Sequence, residues 1–214
     1  MIPPRRILLH PPVVAPLSRV AGAYRASGKR LFSTKSTSPF ERYNELLTAY
    51  PLATKSITSG VICASGDAAC QLIQKNDDGF DVARTSRFAF LGSFLLAPVL
   101  SFWYGKLGLL IPGTSIAPVL KRLALDQLFF APLFIPTFMS SLMLLEEGPS
   151  CTPAIIMERL RISWQGALVA NWMIWVPANL VNFKFIPGAY QVLFANCVGF
   201  VWNAVLSFQA TRTS

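Results

Sequence analysis

Apolar residues run along the chain in long blocks separated by short polar connections. The first block spans 51–74 and is softened by many small residues. The second spans 88–111 and the third 123–145. From 163 to 211 a single charged residue, Lys184, occurs in 49 positions. A membrane span needs about 20 residues, so this last stretch can hold two spans, hinged at Ile186-Pro187-Gly188. The connections run from Lys75 to Arg87, Pro112 to Arg122 and Glu146 to Ile162. A bilayer cannot satisfy free backbone N–H and C=O groups, and no alternating barrel pattern is visible, which leaves helices. The pattern therefore predicts an all-α polytopic membrane protein, a bundle of four to five transmembrane helices, with the fifth segment (189–208) the open one. No internal repeat stands out, and the mixed loop charges give no orientation.

Composition agrees with that picture and charge refines it. Of 214 residues, 53% are hydrophobic and only 14% are charged, yet the formal net charge is +9. A soluble domain carries roughly 25% charged residues. The basic excess is concentrated at the start. No Asp or Glu precedes Glu41, whereas Arg5, Arg6, Arg19, Arg25, Lys29, Arg30 and Lys35 do, amid many Ser and Thr. Arg-rich, Ser-rich and acid-free is the composition of a mitochondrial transit peptide. The run Arg30-Leu31-Phe32-Ser33 resembles a matrix-peptidase site, and cleavage after Phe32 would leave 13 basic against 10 acidic residues, near +3. The expected organisation is a basic segment over 1–39 and a helical membrane domain over 40–211. A disordered basic tail is the plainer alternative for the first.

Within the apolar blocks a few polar groups call for an explanation. Ser56, Gly60, Ala64 and Ala68 recur every four residues and offer a small-residue face for close helix packing. Ser59, Cys63, Asp67, Gln71 and Gln74 form a second, polar face. Asp67 and Gln71 are candidates for a pore lining, or for an interhelical hydrogen-bond seam. In the third block Asp126 stands four positions after Arg122, a spacing that permits a salt bridge, and Asp126-Gln127 are further candidates for a polar path. Pro132 and Pro136 should bend that helix. Asn171, Trp175, Asn179 and Asn182 share one side of the fourth segment, either as a pore face or as an amide seam, with Pro177 interrupting it. Trp103-Tyr104 reads as an interface belt.

Much chemistry is excluded. His10 is the only histidine and lies in the removable segment, so the mature chain would have no His base, triad or metal ligand. Cys63, Cys70, Cys151 and Cys197 form no C-x-x-C, no phosphate-binding glycine loop is present, and the signature of a mitochondrial solute carrier is missing. The expectation is no enzyme, no cofactor, no metal and no direct nucleic-acid partner.

An ordered set of motifs carries a resemblance. Tyr43, Leu47, Pro51 and Thr54, then Gly66-Asp67 and Gln71, then Asp81, Arg84 and Arg87, then Gly92, Pro98 and Trp103-Tyr104, open it. Ile111-Pro112-Gly113-Thr114, Lys121, Asp126-Gln127, Phe130-Ala131-Pro132, Trp164, Asn171, Trp175, Asn182-Phe183, Pro187, Trp202-Asn203 and Leu206-Ser207 complete it. Over about 40–208 the chain resembles the Mpv-seventeen / peroxisomal-membrane-protein-twenty-two family. It departs where that family has Trp-Pro and then Gln: here Val176 separates Trp175 from Pro177, and Asn179 stands in the Gln place. Gln191 replaces an Arg expected after Pro187. The resemblance implies a mitochondrial inner-membrane protein, with a peroxisomal membrane the lesser option. It also implies a weakly selective channel for small solutes, linked to mitochondrial homeostasis, stress adaptation and mitochondrial DNA maintenance. Its partners would be the lipid bilayer, the solutes and other copies in a homo-oligomer. The alternative is a non-transporting scaffold that stabilises an inner-membrane complex.

Overall fold

A computed structural model describes residues 38–74 and 79–201, and every described element is helical. Contacts divide the chain into Met1–Arg42 and Tyr43–Ser214. Of the first unit, the described part is the start of helix α1 (Pro39–Ala49). There Ser38 and Glu41 exchange side-chain to backbone hydrogen bonds of 2.8 and 3.2 Å, a capping box that satisfies donors at the helix entry. The transit-peptide reading otherwise lies outside the described residues, as does everything after Val201.

The second unit is a helical bundle. Pro51 sits where its missing N–H costs nothing and opens α2 (Pro51–Gln74). Helix α3 (Val82–Leu110) begins earlier than its hydropathy predicts, because Asp81 caps it through Arg84 N at 2.8 Å. Helices α4 (Ile116–Ser150) and α5 (Pro153–Phe185) likewise take residues from the connections expected at 112–122 and 146–162. Thr152 caps α5, and Pro153 occupies its first turn. The predicted break at Ile186-Pro187-Gly188 is present, with α6 (Gln191–Val201) beyond it.

Among the described residues two helices, α3 and α4, are long and apolar enough to cross a membrane. Only 11% of the most apolar stretch of α4 is buried, unlike the core helix of a soluble protein, which is mostly buried. At 24 and 33 residues α2 and α5 have the length, but small, amide and charged side chains dilute them.

Both apolar helices contain one wider turn. In α3 it spans Gly92–Leu96, where Ala97 N–H reaches back to Gly92 O; in α4 it spans Asp126–Phe130, where Ala131 N–H reaches Asp126 O. Each is a π turn followed at once by Ala-Pro. A proline lacks an N–H and presses its ring on the carbonyl four residues back; for Pro98 and Pro132 that carbonyl lies inside the π turn, where the ladder is already open. The predicted bend at Pro132 is thus a change of helical pitch. The matching segments, Gly92 to Pro98 and Asp126 to Pro132, form an internal correspondence that the sequence did not reveal by residue identity.

Helix α2 lies along the first half of α3 with its backbone very close. An added Cβ on Gly92 would stand 2.8 Å from Cys63 Sγ and 2.9 Å from Ser59 O. Gly60 meets Ser93 and the Ala89 carbonyl in the same seam. Ser56, Ala64 and Ala68 are half-buried beside it. The bundle core gathers Ala97, Leu100, Tyr104 and Leu107 of α3, Val119 of α4, Phe183 of α5, and Val192 and Ala195 of α6.

Candidate functional site

The polar candidates separate into two clusters. In the first, Asp67 is 3% exposed on α2. Its Oδ2 accepts from Gln71 Nε2 at 2.8 Å and Thr85 Oγ1 at 2.7 Å, and its Oδ1 pairs with Arg84 Nε at 2.8 Å. Gln71 also accepts the Asp81 N–H at 2.7 Å and donates to the Asp81 carbonyl at 3.0 Å. Apart from the Gln71–Asp67 bond within α2, the bonds of this cluster tie α2 to the start of α3. A buried carboxylate is stable there because charge-assisted donors surround it. The polar face of α2, including Ser59, which takes a hydrogen bond from Asn196 of α6, is therefore a packing seam.

The second cluster centres on Asp126, 2% exposed at the start of the π turn of α4. Trp103 Nε1 donates to it at 2.7 Å, Gln127 Nε2 at 2.6 Å and Asn179 Nδ2 at 2.7 Å. Gln127 in turn accepts from Asn171 Nδ2 at 3.1 Å, and its carbonyl accepts from Trp172 Nε1 at 2.9 Å. Tyr104 OH and Asn182 Nδ2 both approach Asn179 Oδ1, at 3.5 and 3.4 Å. One carboxylate thereby joins α3, α4 and α5.

Two expectations are corrected here. Arg122 does not pair with Asp126; it donates to the Gly113 carbonyl in a turn that Gly113 can make because it carries φ +101°. Three hydrogen-bond donors occupy the Asp126 carboxylate instead. Nor do Trp103 and Tyr104 form an interface belt. Trp103 stacks on Phe130 at 4.8 Å between centroids and bonds Asp126, while Tyr104 is buried edge-on against Phe183 at 5.4 Å. Both turn inward because Asp126 and Asn179 offer them partners that lipid cannot.

A cavity of about 480 Å³ adjoins the second cluster, lined by Asp126, Gln127, Asn171, Asn179, Tyr104 and Trp175 with an apolar wall that includes Phe130, Phe134 and Phe138. Asp67 and Gln71 are not among its lining residues, so the six pore candidates do not form one path: Asp126, Gln127 and Asn179 come together, and Asn182 supports them from behind. A second cavity, of about 420 Å³, is lined by Lys55, Ser101, Gly113, Thr114, Arg122, Phe183 and Gln191 among others. Tyr104 belongs to both walls. Sequence reasoning missed Tyr104, Arg122 and Lys55 as lining residues; nothing in their spacing separates them from helix-end anchors.

At the departures, Asn179 is short enough to reach Asp126 directly, and Gln191 Nε2 bonds the carbonyls of Asn182 and Ile186 at 3.5 and 3.3 Å. It thereby closes the hinge between α5 and α6.

Comparison with known proteins follows the same lines. Residues 147–207 match the Mpv17 / PMP22 family. Protein SYM1 of Gibberella zeae is 39% identical over 170 residues, covering 78% of this chain and 94% of that protein. The mitochondrial inner membrane protein Mpv17 of Bos taurus is 33% identical over 172 residues, covering 79% and 96%. Peroxisomal membrane protein 2 of Bos taurus is 34% identical over 172 residues, covering 78% and 86%. No solved structure matches the chain.

Proposed function

This chain belongs to the Mpv17 / PMP22 family, and from that premise we propose that it is a polytopic pore for small solutes in the mitochondrial inner membrane. In this reading α2 and α5 cross the bilayer with α3 and α4, and the last apolar segment adds a fifth span. The observation that carries it is the cavity of about 480 Å³ walled by Asp126, Gln127, Asn171 and Asn179 inside otherwise apolar helices. Its size falls within the range of sites that hold small molecules, and intramembrane ionisable groups mark solute paths by default. Tyr104, which lines both cavities, is the proposed constriction between them.

No enzymatic group is involved in this function. Localisation in the inner membrane draws on the relatives named for it and on the basic leader, and the role in mitochondrial homeostasis and DNA maintenance follows from the same premise. Fusing residues 1–39 to a fluorescent reporter tests the address; a cytosolic or reticular signal defeats it.

The pore itself is tested by planar-bilayer recording and by flux of sized, charged solutes through reconstituted protein. Conductance that rises in Tyr104→Ala and changes selectivity in Asp126→Ala is expected. Silence of the wild-type protein overturns the proposal. The scaffold reading draws on the mutual satisfaction of the polar groups, which serves helix association as well as conduction. Crosslinking to one dominant heteromeric partner, with no conductance, selects it.

A further inference from the structure

The second cavity differs in charge from the first. Arg122 is 6% exposed, lines the cavity, and its Nε–H has no hydrogen-bond acceptor among the described residues. A buried guanidinium donor without an acceptor is costly, and such a group marks a place where a ligand completes the set. Lys55 lines the same cavity and forms no ion pair among the described residues. Lys184 Nζ, 2.7 Å from the Thr114 carbonyl, adds a third positive charge at its edge. No Asp or Glu is among the described residues that line it. Asp126, one turn along α4 from Arg122, is already held by Trp103, Gln127 and Asn179. Space is available as well, since a Cβ built on the lining glycines Gly105, Gly108 or Gly188 would meet nothing within 4 Å.

We propose that this cavity is a binding site for a phosphate group, with Arg122 and Lys55 as its principal ligands. A planar guanidinium and a mobile ammonium around one cavity suit an anion that offers several oxygens. The group can arrive on a water-soluble phosphate compound or as the headgroup of an anionic lipid, and both present the same chemistry to Arg122. This inference deepens the pore reading by naming the chemistry of what enters the vestibule, but binding needs no transport and is measured without it.

The test uses the full chain purified in detergent, titrated with inorganic phosphate by calorimetry at low ionic strength. Arg122→Gln and Lys55→Gln are each expected to weaken binding about tenfold. Gly108→Leu should weaken it by filling the space without changing charge. Lys106→Gln, an exposed lysine resting over Phe102, should leave it unchanged. In parallel, the protein is placed in nanodiscs of phosphatidylcholine and phosphatidylglycerol, and retained lipid is counted by mass spectrometry. Soluble phosphate binding that is lost in the variants identifies a solute site. Absent phosphate binding with phosphatidylglycerol retention lost in Arg122→Gln and Lys55→Gln identifies a headgroup site. Neither kind of binding, or binding indifferent to both substitutions, overturns the proposal. Helical circular dichroism and melting check each variant, and the partly exposed Lys55 carries the test should Arg122→Gln misfold. Conductance with neither kind of binding would remove this inference and leave the pore standing; either kind of binding without conductance would do the opposite.

Discussion

Gly92→Ala isolates the close contact between α2 and α3. The added methyl would lie 2.8 Å from Cys63 Sγ, 2.9 Å from Cys63 Cβ and 2.9 Å from the Ser59 carbonyl oxygen. Carbon atoms pack favourably at about 3.5–4.0 Å, so the helices must part by roughly half an ångström or more along this seam. The Cys63 side chain can turn, but the Ser59 carbonyl belongs to the α2 backbone and cannot move alone. Overpacking of this kind costs about 1–3 kcal/mol. Gly105→Ala is the matched control on the same helix. Its methyl meets nothing within 4 Å, and replacing a helical glycine by alanine where space allows stabilises by about 0.4–1 kcal/mol. The two substitutions are chemically identical and opposite in expected sign. Unfolding of detergent-solubilised protein by sodium dodecyl sulfate, followed by circular dichroism, measures both. If Gly92→Ala proves no less stable than Gly105→Ala, the account of the α2–α3 seam is wrong.

Asp67→Ala removes the acceptor of Arg84, Thr85 and Gln71 together and should destabilise by about 2–3 kcal/mol, with Arg84→Gln costing less because two other donors remain; the same unfolding assay ranks them. Asp126→Asn places an amide N–H₂ or a single oxygen where two side chains donate to Oδ2, and a loss of about 1–2 kcal/mol is expected. If Asp126→Asn matches wild type, the carboxylate does not organise the three helices. Asp81→Ala removes the cap of α3 and should cost about 1 kcal/mol, read as earlier proteolysis near residues 79–85. Tyr104→Phe deletes only the weak 3.5 Å contact to Asn179, so it should leave stability and conductance nearly unchanged, whereas Tyr104→Ala should raise conductance if the proposed pore exists.

Helix positions were legible because apolar length and proline placement act locally. Pro51 begins α2 and Ile186-Pro187-Gly188 ends α5 as expected, since both effects are confined to the backbone. The helices at 82 and 153 begin ahead of the apolar blocks at 88 and 163, because the caps Asp81 and Thr152 are polar and hydropathy discards them. The candidate site was legible in part. Asp126, Gln127 and Asn179 converge as a polar set on neighbouring helices should, because lipid offers them no alternative partner. Asp67 and Gln71 looked equivalent in the sequence but found Arg84 and Thr85, whose polar side chains lie in what reads as a loop. Trp103 and Tyr104 were misplaced for a geometric reason. A π turn adds a residue to the ladder and rotates everything beyond it by about 100°, so a single helical wheel cannot place both halves of α3.

Tyr104, as the wall common to both cavities, imposes a simple electrical consequence. For a solute that crosses, the two chambers and the barrier between them are resistances in series, and the largest one governs the current. Side chains inside either chamber would then set which solutes dwell there, whereas the size of the residue at 104 would set how many pass per second.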